Sequence, residues 1–365
     1  MTLPIYLDCA ATTPVDPAVV AAMAPWLGER FGNPASPHRW GYDAAAAVAV
    51  ARAQVAALLG VAPATIAFTG GATEAVNWAL KGVMLAAAPG RRRLVTVTTE
   101  HSCVLESARW LESIGCELTV VPVHPDGLVD RDALTAAIGP DVALVSVMLV
   151  NNETGVIQPV ADIAAQAHAA GALLHCDAAQ GFGKIDCSGL DADLISMSGH
   201  KLYGPKGVGA LYRRPGVELV PLLHGGGQED GRSGTLSPAL CAGFGAAAEI
   251  ARDRMAVDAE HATALADRLL IGLGQRASVN GGAAPRWPGI VNLDCGVDAT
   301  RLLAAARDLA FSTGSACATG RASHVLAAMG ARDGVRLSFG RFTTIAEIDT
   351  AVAVLTAALT RIDPR

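Results

Sequence analysis

The chain has 365 residues, of which 51% are hydrophobic and 17% charged, a balance that excludes disorder and supports a large core shared between two domains. Its net charge of −6 (28 − 34) leaves no basic surface for nucleic acid or an anionic membrane. The eight cysteines form no Cys-x-x-Cys pair, which excludes a zinc site and a small disulfide scaffold and points to a reducing cytoplasm, with most of them as small core residues.

In chain order, the opening Met-Thr-Leu-Pro-Ile-Tyr has neither the basic nor the apolar stretch of a signal peptide, and no uninterrupted apolar run reaches transmembrane length. Residues 5–14 read as a short strand and a polar turn. Ser36 as N-cap with Pro37 at the first helical position is expected to start the alanine-rich helix that Gly60 ends. Ile66–Thr69 reads as a strand, and Gly70-Gly71-Ala72-Thr73-Glu74 then turns into a helix over 75–88. Strand, glycine turn and helix N-terminus make either a phosphate cradle, where free N–H groups and the helix dipole face an anion, or a plain βα turn. A strand over 94–98 leads into Thr99-Glu100-His101-Ser102 and a helix from Ser102, which puts His101 at a strand end, as a site residue or as a helix-terminal histidine with a structural hydrogen bond. The run 142–149 is nearly all apolar, as a parallel strand buried on both faces should be. It ends in Asn151-Asn152-Glu153-Thr154-Gly155, a loop at the carboxyl edge of the sheet, where open α/β sheets bind ligands.

Two further strand ends carry the chemistry. Leu173–Asp177 reads as a buried strand ending in an acid and continuing to Gln180. The run 193–197 is a short strand that delivers Ser198-Gly199-His200-Lys201 into a turn closed by Gly204, Pro205 and Gly207, so Lys201 follows Asp177 by 24 positions (201 − 177). A lysine on a rigid turn suits a Schiff base to an aldehyde cofactor, with Ser198 and His200 placed for its phosphate. A strand-end acid keeps a pyridine nitrogen protonated, so that the ring acts as an electron sink, which is the demand of pyridoxal phosphate. The competing reading of Lys201, a solvated lysine in a surface turn, does not account for Asp177.

Residues 208–212 read as a final edge strand, and residues 224–235 as a glycine-rich loop. Pro238–Leu273 is a helix long enough to bridge two domains. Strands at Ile290–Asp294 and 335–339, with helices over 299–309 and 346–359, make a smaller α+β domain. Within it, Ser312-Thr313-Gly314-Ser315-Ala316-Cys317-Ala318-Thr319-Gly320-Arg321 is a loop of small residues with one cysteine at its centre, the setting of an accessible nucleophilic thiol.

Taken together these motifs resemble the class V, fold-type I pyridoxal phosphate enzymes, specifically the cysteine desulfurases of the NifS/IscS type. The likeness includes Tyr6-Leu7-Asp8 with Ala10-Ala11-Thr12-Thr13-Pro14, Gly71-Ala72-Thr73-Glu74, Thr99-Glu100-His101, Val150-Asn151-Asn152-Glu153, Asp177-Ala178-Ala179-Gln180 and Ser198-Gly199-His200-Lys201. It continues through His224-Gly225-Gly226-Gly227-Gln228-Glu229, Arg232-Ser233-Gly234-Thr235, Gly314-Ser315-Ala316-Cys317 and Val335-Arg336-Leu337-Ser338-Phe339-Gly340-Arg341. Each motif alone is weak, and the ordered set is specific.

The resemblance implies an α/β fold: a large cofactor-binding domain over 15–255 with a mostly parallel seven-stranded sheet, and a small α+β domain of 1–14 with 256–365 that carries the cysteine loop. It implies that Lys201 bonds the cofactor and later moves the Cα proton, that Asp177 pairs with the pyridine nitrogen, and that Gln180 bonds the phenolic oxygen. His101 stacks on the ring and relays protons at the substrate thiol. Ala72, Thr73, Ser198 and His200 hold the phosphate, which Thr235 reaches from a second subunit of a homodimer. Asn152 and Arg336 grip the carboxylate of L-cysteine, and Cys317 takes its sulfur as a persulfide for a sulfur-acceptor protein or iron–sulfur scaffold. The cysteine loop is about two residues shorter than the long-loop form, with Arg321-Ala322-Ser323-His324 where that form has a Glu-Pro. The glycine-rich loop is one residue shorter between Glu229 and Arg232, and Cys9 replaces a common asparagine. Alongside the desulfurase stand a selenocysteine lyase, a cysteine lyase or an aminotransferase of the same fold, and, from another class, an inactive scaffold that only binds sulfur acceptors.

Overall fold

A computed structural model of the chain describes residues 3–313 and 323–363. In chain order its elements are β1 (Ile5–Tyr6), α1 (Pro17–Leu27), α2 (Arg39–Leu59), β2 (Ile66–Thr69), α3 (Ala72–Ala86), β3 (Arg93–Val97), α4 (Ser102–Ser113), β4 (Glu117–Val121), α5 (Arg131–Ala137), β5 (Val142–Met148) and α6 (Val160–Ala169). They continue with β6 (Leu173–Asp177), β7 (Leu194–Ser198), β8 (Gly209–Arg213), α7 (Pro238–Leu273), β9 (Ser278–Val279), β10 (Ile290–Asp294), α8 (Ala299–Ala305), β11 (Leu309–Ala310), α9 (His324–Ala328), β12 (Val335–Ser338) and α10 (Ile345–Ile362).

A seven-stranded sheet runs β2-β8-β7-β6-β5-β3-β4, with β8 antiparallel to both its neighbours and every other pair parallel. β5 lies near its centre with all seven residues buried, which is why its sequence shows no polar alternation. β8 is not the edge strand expected from its sequence. The short turn after β7 returns the chain antiparallel beside it, and β2 closes the far side of β8, so β2 and β4 are the edges. Gly209 in β8 allows this, because a Cβ there would lie 2.4 Å from the Met197 carbonyl oxygen and 2.8 Å from Gly71 Cα.

The helix boundaries shift for local reasons. α2 starts at Arg39 with His38 as its cap, its ring Nδ1 accepting from the Gly41 N–H at 3.3 Å, and not at Ser36–Pro37. Those residues belong instead to a turn in which Asn33 accepts from the Ala35 and Ser36 amides. Gly60 ends α2 in the left-handed conformation, as its position suggests. α3 begins at Ala72, three residues before the expected start, because Gly71 completes the turn at φ 152°. α2 is long and apolar enough to cross a membrane, but it buries residues such as Val48, Ala51 and Val55 in a core shared with Phe244 and Ala247 of α7.

A second core lies around an antiparallel sheet ordered β12-β10-β9 and the parallel pair β1-β11. It joins Leu7 near the N-terminus to Leu265 and Leu269 of α7, Leu302 of α8 and Leu355 of α10. We propose that this core and that of the large sheet are the two domains expected from the sequence.

Candidate active site

The carboxyl ends of β2, β3, β5, β6 and β7 open into one cavity of about 880 Å³. Ala72, Thr73, His101, Asn152, Asp177, Gln180, Ser198, His200, Lys201 and Arg336 all line it. Thr235 does not; it is exposed and lines a separate depression with Gln228 and Glu229. Cys317 lies outside the described residues.

Asp177 ends β6, buried, with Oδ1 accepting from the Ala179 N–H at 2.9 Å and the Ser196 hydroxyl at 3.3 Å. Burial pushes its carboxyl up, against the pull of the Ala179 N–H, His101, Ser196 and Lys201. Lys201 closes a single 3₁₀ turn after β7, and its Nζ donates to the carbonyls of Ala10 at 2.6 Å and Ala11 at 3.0 Å. The Ala10 carbonyl also accepts from Gln180 Nε2 at 2.7 Å, so the lysine and the amide converge on one main-chain group.

His101 caps α4, its Nδ1 accepting from the Cys103 N–H at 3.2 Å and meeting Cys103 Sγ at 3.0 Å. The expected structural hydrogen bond is therefore present on a residue that also lines the cavity. Burial lowers the His101 pKa, and His200 is pushed down to about 4 by burial and the neighbouring lysines. His200 Nδ1 lies 3.1 Å from Thr12 Oγ1.

Arg336, on β12, has its fork engaged: Nη2 meets Asp8 Oδ1 at 2.7 Å and Nη1 donates to the Asn152 carbonyl at 2.8 Å. The main chain of Arg336 also pairs with that of Ser312 in both directions. On the other side of the segment that contains Cys317, Ser323 donates to Glu153 Oε2 at 2.5 Å and His324 to the Glu100 carbonyl at 2.8 Å.

Four residues in or beside the site have no role in the sequence reading. Asp8 and Glu100 sit inside the Tyr6-Leu7-Asp8 and Thr99-Glu100-His101 motifs, where the sequence alone gives them no role. Glu100 is fully buried, and burial and the nearby Asp177 charge hold its pKa far above the usual carboxylate range, against the pull of the Met148 and His101 main-chain N–H groups. Cys103 lines the cavity with a thiol pushed up by burial. Lys184 donates to Gln180 Oε1 at 2.9 Å, and burial followed by the Lys201 charge pushes its amine down to about 7. The four-residue spacing of Gln180 and Lys184 is a signal the sequence contained.

The residues present fit pyridoxal phosphate. Gly71 offers no side chain to cap α3, so the first-turn N–H groups are free for a phosphate, with Ser198 and His200 at the same cavity wall. Asp177 is a buried acid facing the cavity, where a ring nitrogen would take up its charge, and Lys201 lines the same space.

Residues 5–351 match the family described as aminotransferase class-V. Cysteine desulfurase IscS of Rickettsia akari is 45% identical to this chain, covering 99% of it and 92% of the relative. Among solved structures, a NifS-like protein superposes with a TM-score of 0.92 at 35% identity, covering 98% of this chain and 100% of that one. The structure of SspA in complex with cysteine superposes with a TM-score of 0.83 at 35% identity, covering 93% and 100%.

Proposed function

The chain belongs to the aminotransferase class-V family and is a pyridoxal-phosphate-dependent cysteine desulfurase, and from that premise we propose that the sulfur of L-cysteine leaves on Cys317 for an acceptor protein. The observation that carries the reading is the meeting of Asp177, Lys201 and His101 in one cavity beneath the uncapped start of α3. Pyridoxal phosphate, when bound, supplies the sink for the electrons left at Cα when its proton is removed.

The chain's own residues do the rest. Arg336 and Asn152 hold the substrate carboxylate, for which a guanidinium fork is well shaped. Lys201 takes the Cα proton. Asp177 keeps the ring nitrogen protonated, and the Gln180 amide, its oxygen held by Lys184, presents N–H to the phenolic oxygen. His101 holds or returns the proton at the substrate thiol. The Cys317 thiolate attacks the substrate sulfur, an S–S bond forms, the C–S bond breaks with its electron pair going to Cβ, and protonation gives alanine.

The anchoring of Ser312 on Arg336 and of Ser323 on Glu153 supports this role for Cys317, since both described flanks of its segment are fixed beside the cavity. We place the enzyme in the cytoplasm as a homodimer, supplying sulfur for iron–sulfur clusters or thiolated cofactors. The exposed Thr235, away from its own cavity, is free to reach a partner subunit's phosphate.

The test is incubation with L-cysteine and measurement of alanine and sulfide together. Alanine without sulfide until a reductant is added supports persulfide storage. Pyruvate with immediate sulfide, or an amino-transfer product, replaces the reading with a lyase or an aminotransferase.

A further inference from the structure

Beneath the cavity floor, a line of buried polar side chains crosses three adjacent strands. Ser146 of β5, His175 of β6 and Ser196 of β7 are each fully buried. Ser146 Oγ lies 2.9 Å from His175 Nδ1, His175 Nε2 lies 3.2 Å from Ser196 Oγ, and Ser196 Oγ donates to Asp177 Oδ1 at 3.3 Å. The register explains the line: Ser146 pairs with His175 across β5 and β6, and Asp177 with Ser196 across β6 and β7.

The direction of these bonds follows from proton counting. A hydroxyl has one proton, and Ser196 gives its own to the Asp177 carboxylate, so it must accept from His175 Nε2–H. Burial without a counter-charge pushes His175 down to about 3, which keeps the ring neutral. A neutral ring with a proton on Nε2 has a bare Nδ1, which accepts from the Ser146 hydroxyl. Every bond is thus donated toward Asp177, and aligned bonds of this kind polarise one another.

We propose that Ser146, His175 and Ser196 are positioning residues, forming a buried relay of hydrogen bonds that holds the Asp177 carboxylate charged and fixed toward the ring nitrogen of the bound cofactor. The proposal rests on the reading of Asp177 as that nitrogen's partner. The other groups acting on Asp177 are the Ala179 N–H just after β6, His101 at the start of α4, Lys201 after β7 and Glu100 after β3. Desolvation opposes the charged carboxylate, and the relay is the part of its surroundings that favours it from below.

The first test uses the unmutated holoenzyme. ¹⁵N-histidine NMR should find His175 as the neutral Nε2–H tautomer from pH 6 to pH 9; an Nδ1–H tautomer or a charged ring at neutral pH overturns the relay. This measurement decides even where a variant fails to fold. The second compares Ser196→Ala with Ser196→Thr, which keeps the hydroxyl. Loss of a hydrogen bond to a charged group should weaken pyridoxal phosphate binding about tenfold in the alanine variant, with most of the affinity restored in the threonine variant. Removing a donor raises the carboxyl pKa, so the acid limb of kcat/KM should move up by about one pH unit. Wild-type cofactor affinity and an unmoved acid limb in Ser196→Ala overturn the relay alone. Full activity in Asp177→Asn would overturn the site reading and the relay with it.

Discussion

Arg336 and Asp8, 328 residues apart in the chain, form an ion pair of 2.7 Å at the wall of the active-site cavity. The guanidinium is almost wholly buried, and its Nε has no hydrogen-bond partner among the described residues. Asp8 is therefore the counter-charge that lets Arg336 sit there before the arrival of the substrate carboxylate that we propose it binds. Asp8→Asn should destabilise the protein by about 2 kcal/mol, less than the loss of a fully buried pair because Asp8 is partly solvated. A carboxylate ligand should replace the missing charge. L-Alanine is thus expected to raise the melting temperature of Asp8→Asn more than that of the wild type, by thermal unfolding at matched concentrations. Equal shifts would mean that the amino-acid carboxylate does not approach Arg336.

Glu100 gives a pH signature. Its pKa is raised in the folded state, so above the unfolded value of about 4.3 the folded chain holds a proton that the unfolded chain has lost. Stability from this group is complete below that value and declines as pH rises toward the folded pKa, by up to about 1.4 kcal/mol per pH unit. Glu100→Gln, which keeps the neutral shape, should lack this decline. Urea unfolding from pH 5 to pH 8 should show the wild type losing stability relative to the variant, and parallel curves would refute a neutral Glu100.

Lys201 and Asp177 are separable by what their loss leaves behind. Lys201→Ala should abolish turnover, and borohydride should no longer fix the cofactor to the chain; a cofactor still fixed would place the covalent link on another lysine. Asp177→Asn should still fix the cofactor through Lys201 but lose roughly 10²–10⁴ in turnover, the scale of lost acid–base assistance.

The features legible in the sequence were those carried by neighbouring residues. The apolar run of β5, the glycine end of α2 and the turn holding Ser198, His200 and Lys201 are all set within a few positions. The start of α2 is not visible locally because Asn33, outside the helix, holds the Ala35 and Ser36 amides in a turn and leaves the cap to His38. The interior place of β8 was hidden because it depends on β2, more than a hundred positions earlier. β4 is a partly exposed edge strand whose Glu-Leu-Thr-Val-Val lacks the apolar run that marked β5. For the same reason the Asp8–Arg336 pair and the Ser146–His175–Ser196 line appear only when strands are brought into register.

The last prediction concerns Cys317. Among the described cysteines, burial raises the thiol pKa of Cys9, Cys103, Cys176, Cys187, Cys241 and Cys295, so each of these is a poor thiolate at neutral pH. Cys103 alone of these lines the cavity, and it is the competitor that must be tested. The flanks of the Cys317 segment are held at Ser312 by Arg336 and at Ser323 by Glu153, beside the residues proposed to grip the substrate. Cys317→Ser should therefore bind the cofactor and L-cysteine normally, yet store no sulfur and release little alanine. Cys103→Ala should store sulfur as the wild type does. Mass spectrometry after incubation with L-cysteine and no reductant should find one added sulfur atom on the peptide containing Cys317. If the added sulfur is found on Cys103, or if Cys317→Ser releases alanine at the normal rate, the sulfur does not pass through Cys317 and the desulfurase mechanism must be redrawn around the cavity thiol.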